Sequence, residues 1–163
     1  MVSETTAPLL QIEGLKTYFH TQDGTVKAVD GVSYEIGDGK TVGVVGESGC
    51  GKSITALSVM RLIDTPGEIA AGTIKLHDRD LLKVDAAEMR DIRGNSISMI
   101  FQEPMTSLNP VFTCGNQIIE AIRLHRPMPG GQARDLAVEM LEKVGIPEPP
   151  GGSTNTPTSF PAG

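Results

Sequence analysis

A chain of 163 residues, 39% hydrophobic and 21% charged, suits one soluble globular domain with a real core and is short for two. Its formal net charge of −6, with no cluster of Lys and Arg, argues against a nucleic-acid-binding surface. With no apolar run of about 18 residues, no N-terminal segment of the signal-peptide kind, and only Cys50 and Cys114 as thiols, it reads as a cytoplasmic chain that does not span a membrane and carries no four-thiolate metal site.

Residues 9–12 and 26–36 are short apolar runs with Gly24 between them, which predicts paired strands. Residues 41–45, TVGVV, hold three valines in five positions and are bounded by Gly39 and Gly46. They predict a strand buried on both faces, as in a parallel sheet covered by helices. The next eight residues, GESGCGKS at 46–53, fit the phosphate-loop pattern G-x-x-x-x-G-K-[ST]. Its glycines let the backbone curl, so that N–H groups from Glu47 through Ser48, Gly49, Cys50, Gly51 and Lys52 to Ser53 converge on phosphate oxygens. Lys52 supplies a mobile charge for the β- and γ-phosphates, and the Ser53 hydroxyl is the expected Mg²⁺ ligand. In 53–63 the spacing of Ile54, Leu57 and Leu62 predicts a helix that ends before Pro66 and aims its positive end at the same anion.

A strand over 72–76, a short polar helix over 85–93 and a strand in which Ile97, Met99 and Phe101 alternate follow in turn. The second half turns helical. Ile118, Ile119 and Ile122 mark one helix, and Leu136, Met140, Leu141 and Val144 mark another that stops at Gly145. From 147 to 163 the composition is rich in Pro, Gly, Ser and Thr without periodicity, which predicts a disordered tail.

The string MIFQEPMTSLNPVFT at 99–113 closely resembles the glutamine-loop segment of ABC transporter ATPases, in particular the dipeptide and oligopeptide importer group. AVDGVSYEI at 28–36 and the loop GESGCGKS look like the same group, and the resemblance runs over 9–149. It implies an α/β fold: a RecA-like P-loop NTPase core with an N-terminal antiparallel β subdomain and a helical subdomain, truncated. The partial ATPase domain would occupy 1–146, with the β subdomain and phosphate-loop core in 1–102 and the helical subdomain in 103–146.

The resemblance further implies ATP and Mg²⁺ as ligands. Gln102 would reach the Mg²⁺ or the attacking water and report γ-phosphate occupancy to the helical subdomain. Phe19 stands where the family places an aromatic ring against adenine; Tyr18 is the alternative, and an ordinary core aromatic the plainer reading. The implied function is the ATP-binding portion of a peptide-type importer subunit that couples ATP binding and hydrolysis to solute uptake. Its partners would be membrane-spanning transporter subunits, docked through the region after Gln102, and a second ATP-binding subunit. The implied place is the inner face of the cell membrane, held there through protein partners. A soluble, non-transport ABC ATPase is a different reading, against which the SLNP string weighs; an inert truncation product is a third.

The sequence shows no LSGGQ-like signature, no apolar run ending in Asp-Glu and no downstream switch histidine. The expectation is therefore an N-terminal fragment, from a partial gene product or a frameshifted end, with an exposed sheet edge and marginal stability. Other residues take structural readings: Cys50 as a small loop residue, Glu103 as no catalytic base, and His20, His77 and His125 as surface groups. The 163-residue chain on its own should bind ATP without turning it over, because a general base and the facing signature are both missing. Phosphate release above about 0.01 per second that vanishes in Lys52→Ala would contradict this.

Overall fold

Two long strands joined by a tight turn at Gln22 and Asp23 begin the described part of the chain, β1 at Leu10–Thr21 and β2 at Gly24–Ile36. The computed structural model describes residues 8–102 and 107–146, and the chain divides into two units, Met1–Met99 and Ile100–Gly163. The tail read at 147–163 and the position of Glu103 lie outside the described residues.

In the first unit, β3 at Gly67–Leu76 and the short β4 at Arg79–Asp80 complete an antiparallel sheet of order β2-β1-β3-β4. Both long strands extend beyond their apolar runs, and β3 pairs with β1 from Phe19↔Gly67 to Leu10↔Leu76. The sequence understates β1 because its inward phase slips at a bulge. Leu10 and Ile12 are buried, and so are Leu15 and Thr17, with the register shifting between the two pairs. At this level Gly72 of β3 has φ +100, and a Cβ there would lie 2.6 Å from the Leu15 Cα, so the strands can cross closely only with glycine.

On this sheet lies α1 at Lys52–Val59, and α2 spans Ala86–Ile92 with the Asp85 carboxylate accepting from the Glu88 N–H at 2.8 Å as its N-cap. The core joins Leu10, Ile12, Leu15, Val29, Ile74 and Leu76 of the sheet to Val59, Leu81 and Ile92. A buried polar contact fixes α1 to β1: the hydroxyls of Thr17 and Ser58 are 2.8 Å apart, and Ser58 Oγ donates to the Ile54 carbonyl at 2.7 Å. Since a serine has one hydroxyl proton, Thr17 must be the donor to Ser58.

The helix read at 53–63 ends earlier than its apolar spacing suggests. Arg61 takes the left-handed conformation at φ +51, and the Leu62 N–H reaches the Leu57 carbonyl at 2.8 Å while the Arg61 N–H reaches Ser58 at 3.0 Å. That double bond pattern is the glycine-type helix stop, made here by an arginine.

Two strand readings are overturned. Residues 41–45 form no strand, and Val42, Val44 and Val45 are exposed, the last at 92%. Residues 97–101 contribute only an isolated parallel bridge between Arg93 and Ile97, with Ile100 95% exposed. A strand buried in a parallel sheet requires hydrogen-bonded neighbours on both sides, and among the described residues no strand pairs with either segment.

The second unit contains α3 at Cys114–His125 and α4 at Gly130–Lys143. Thr113 caps α3 through its hydroxyl, which accepts from the Asn116 N–H at 3.3 Å. The buried face of α4 is Ala133, Ala137 and Leu141, spaced by one turn, whereas Met140 and Val144 are exposed. Gly145, with φ +76, ends α4 as its position predicts.

Ser58→Ala should destabilise the first unit by about 1–3 kcal/mol, because it strands the buried Thr17 hydroxyl without its acceptor. The double variant Thr17→Val with Ser58→Ala should recover most of that loss. Urea unfolding of the three proteins checks this, and a double variant no more stable than Ser58→Ala alone would refute the pairing.

Candidate functional site

The loop at 46–53 is built by a close approach to the sheet. Gly51 has φ +95, and a Cβ there would run into the Ala28 carbonyl oxygen of β2 and come within 3.5 Å of Val29 Cγ2. Only glycine lets the loop rest directly on β2 at this point. On the other side of the curl, a Cβ on Gly46 would meet the Cys50 sulfur at 2.6 Å, and Gly49 has φ +81. The Cys50 N–H closes the turn on the Glu47 carbonyl at 3.3 Å.

The Lys52 ammonium fills the middle of this curl. Its Nζ donates to the carbonyls of Gly46 and Glu47, both at 2.7 Å, and lies 3.5 Å from Cys50 Sγ. The charge is thus held by backbone oxygens at the mouth of the loop, with no carboxylate paired to it among the described residues. α1 starts at Lys52 with Gly51 as its N-cap. No side chain caps it and no acid stands in its first turn, so its leading amides carry their positive partial charge without a side-chain partner. Ser53 is exposed on that first turn. Thr55, behind it, is buried and donates its hydroxyl to the Gly51 carbonyl at 3.0 Å, which fastens the loop to the helix.

These features fit an anionic group bearing several oxygens. Amides, an ammonium and a hydroxyl lie within one eight-residue segment, the donor types that such an anion takes.

The aromatic candidates are placed differently. Phe19 is half-buried, its ring beside Gly67, where an added Cβ would meet both it and the Ile63 side chain. Tyr18 donates its hydroxyl to Asp30 Oδ1 at 2.6 Å, and Lys27 stands 5.5 Å over its ring. The Asp30 carboxylate raises the Tyr18 pKa by accepting its proton in a hydrogen bond, and the same bond lowers that of Asp30, aided by Lys27 and Lys16. Phe19 belongs to the same unit as the loop, whereas Gln102 belongs to the second unit, where it is exposed in a bend.

His20 is exposed and bonds Glu68 at 3.0 Å and Thr25 at 3.1 Å. Sequence reasoning missed Ala28, whose carbonyl backs Gly51. It also missed the sulfur of Cys50 as a neighbour of Lys52. Only the first is beyond any sequence signal, since it depends on strand pairing; the second follows from the two-residue spacing once the loop is known to curl.

An ABC transporter family profile matches residues 29–159. The chain belongs to the ABC transporter family. It is 52% identical over 139 residues to the oligopeptide transport ATP-binding protein AppD of Bacillus subtilis (strain 168), a match over 85% of this chain and 42% of that protein. The chain thus spans less than half the length of the curated relatives it matches. Among solved structures, the dimeric ABC transporter cassette MJ0796 superposes with a TM-score of 0.81 at 20% identity, covering 94% of this chain and 63% of that one. The same cassette bound to ADP and Pi gives 0.78 at 19% identity, covering 93% and 63%. The fold is therefore that of an ABC ATPase cassette: part of a RecA-like P-loop core with an antiparallel β subdomain and helices.

Cys50 is exposed, whereas Cys114 is buried at the start of α3 with its thiol pKa pushed up by that burial. A maleimide added to the folded protein at neutral pH should modify Cys50 at least about tenfold faster than Cys114, because the thiolate is the reacting form. Equal rates by peptide mass mapping would show that the loop does not present its sulfur as described.

Proposed function

We propose that this chain is the nucleotide-binding portion of an ATP-binding subunit in a peptide-type ABC importer. The observation that carries the reading is the loop at 46–53, which brings the Lys52 ammonium, the uncapped start of α1 and the exposed Ser53 into one segment. The relatives named above supply the context of oligopeptide transport.

In this proposal the amides of residues 47–53 take the phosphate oxygens of ATP, and Lys52 moves from its carbonyls to the β- and γ-phosphates. The Ser53 hydroxyl holds the accompanying Mg²⁺, which supplies charge for the phosphates. Phe19 offers the exposed part of its ring to adenine. Residues 1–102 act as the nucleotide-holding part and 103–146 as the helical part that answers to it. No helix among the described residues is long and apolar enough to cross a membrane. Attachment would therefore come through membrane-spanning partners, for which Val111 and Phe112, 80% and 55% exposed, offer an apolar contact just after Gln102. A second ATP-binding subunit would face the loop.

Mg-ATP at about 100 times its Kd should add about 2.7 kcal/mol to stability, seen as a raised Tm, and Lys52→Ala should remove most of that rise. Equal shifts in both proteins would sink the site assignment. For the partner, a cysteine introduced at Val111 should cross-link to an integral membrane subunit in membranes holding the assembled importer. Capture of lipid alone would count against docking there.

A further inference from the structure

One arginine grips the far end of the loop's helix, and a second, at the helix stop, ties that end to the chain beyond β4. Arg93 donates from Nε to the Met60 carbonyl at 2.8 Å and from Nη2 to the Arg61 carbonyl at 2.9 Å. Arg61 in turn sends Nη1 to the carbonyls of Leu81 and Val84, at 3.1 and 2.7 Å. Both side chains are half-buried, and neither pairs with a carboxylate among the described residues. Their charge is spent on backbone oxygens alone.

The placement suits the helix. α1 has no basic residue in its last turn, so its negative end is met only by a guanidinium from elsewhere. A planar fork of two N–H groups reaches two successive carbonyls at once, a geometry that an ammonium cannot reproduce. Arg61 even takes a left-handed backbone at φ +51, where glycine is the usual choice, and glycine there could not reach Leu81 and Val84.

Arg93 also stands at the root of the segment that leads toward Gln102. It caps α2, its backbone bridges Ile97, and the Gly94 N–H returns to the Ile97 carbonyl at 2.8 Å. The N–H groups of Ser96 and Ile97 both close on the Ile92 carbonyl, at 2.9 and 3.2 Å, so 92–97 is one tight, bonded turn. α1 is a rod of eight residues, about 12 Å long, with the phosphate loop at one end and this turn gripped to the other. A load taken at the loop can leave the rod through Arg93.

We propose that Arg93 is a positioning residue that couples occupancy of the phosphate loop to the segment running from 93 to Gln102. The inference rests on the nucleotide reading of the loop. It adds to that reading the physical link by which α1 passes on a change at its N-terminal end.

Hydrogen exchange with mass spectrometry, on the whole chain with and without Mg-ATP, tests it. In the wild type, nucleotide should slow exchange in 46–58 and also in 93–102. In Arg93→Gln the protection of 46–58 should persist, while that of 93–102 falls at least threefold. Arg79→Gln, which removes only an exposed ion pair to Glu88, should leave both intact. Should Arg93→Gln fail to fold, Arg93→Lys, which keeps the charge but not the fork, carries the same expectation.

Protection unchanged in both segments of the variant overturns the coupling. So does an equal loss in both, which would make Arg93 a general support of the fold. Wild-type protection confined to 46–58 refutes the coupling and leaves the nucleotide site standing, whereas no protection in the wild type at saturating Mg-ATP refutes both.

Discussion

The contact of Gly51 with the Ala28 carbonyl of β2 sets the position of everything around the candidate site. A side chain at Gly51 would push the loop off the sheet, and with it the first turn of α1. Because that contact is backbone against glycine, the start of α1 has little freedom to slide. The Thr17 to Ser58 hydroxyl pair then fixes the rotation of the helix on β1. With position and rotation set, the curl of 46–50 holds the Lys52 ammonium on its own carbonyls, those of Gly46 and Glu47.

The far end of α1 is secured by different chemistry. Apolar packing of Val59 in the core is joined by the Arg93 guanidinium, which satisfies the carbonyls of Met60 and Arg61 where the helix stops. Helix ends buried without such partners would be costly. No buried side-chain nitrogen or oxygen lacks a partner among the described residues. The polar groups inside the first unit therefore serve as fasteners: each bonds a specific backbone or hydroxyl atom, and together they give α1 one defined seat. The second unit has a simpler basis, in which alanines on α4 let it approach α3 and the caps at Thr113 and Gly145 close the helix ends.

Membership in the ABC transporter family and the cassette fold agree with this arrangement. The antiparallel sheet is the platform on which the loop and α1 rest, and its glycine kink at Gly72 lets β3 cross β1 closely enough for one continuous core. The exposed valines at 42–45 lie immediately before the loop, so the loop owes its position to contacts at Gly51 and beyond rather than to a paired strand in front of it.

The local signals in the sequence had local physical causes, and they were legible. The phosphate loop follows from glycine and lysine spacing, the Gly145 cap from residue type, and the two helices of the second unit from their apolar period. The family resemblance was legible too, through the strings around Gln102 and the loop. Some features were decided only in three dimensions. Apolar pattern marks a segment such as 41–45 as able to be a buried strand, but hydrogen-bonded neighbours make it one, and none pairs with it among the described residues. Helical spacing carried α1 past Arg61 because no glycine announced the stop; the left-handed turn is held by carbonyls from Leu81 and Val84, about twenty residues away. Loop chemistry was therefore written in eight consecutive residues, while the seat of that loop and the grip on its helix depend on atoms brought together by strand pairing and packing, which no local pattern encodes.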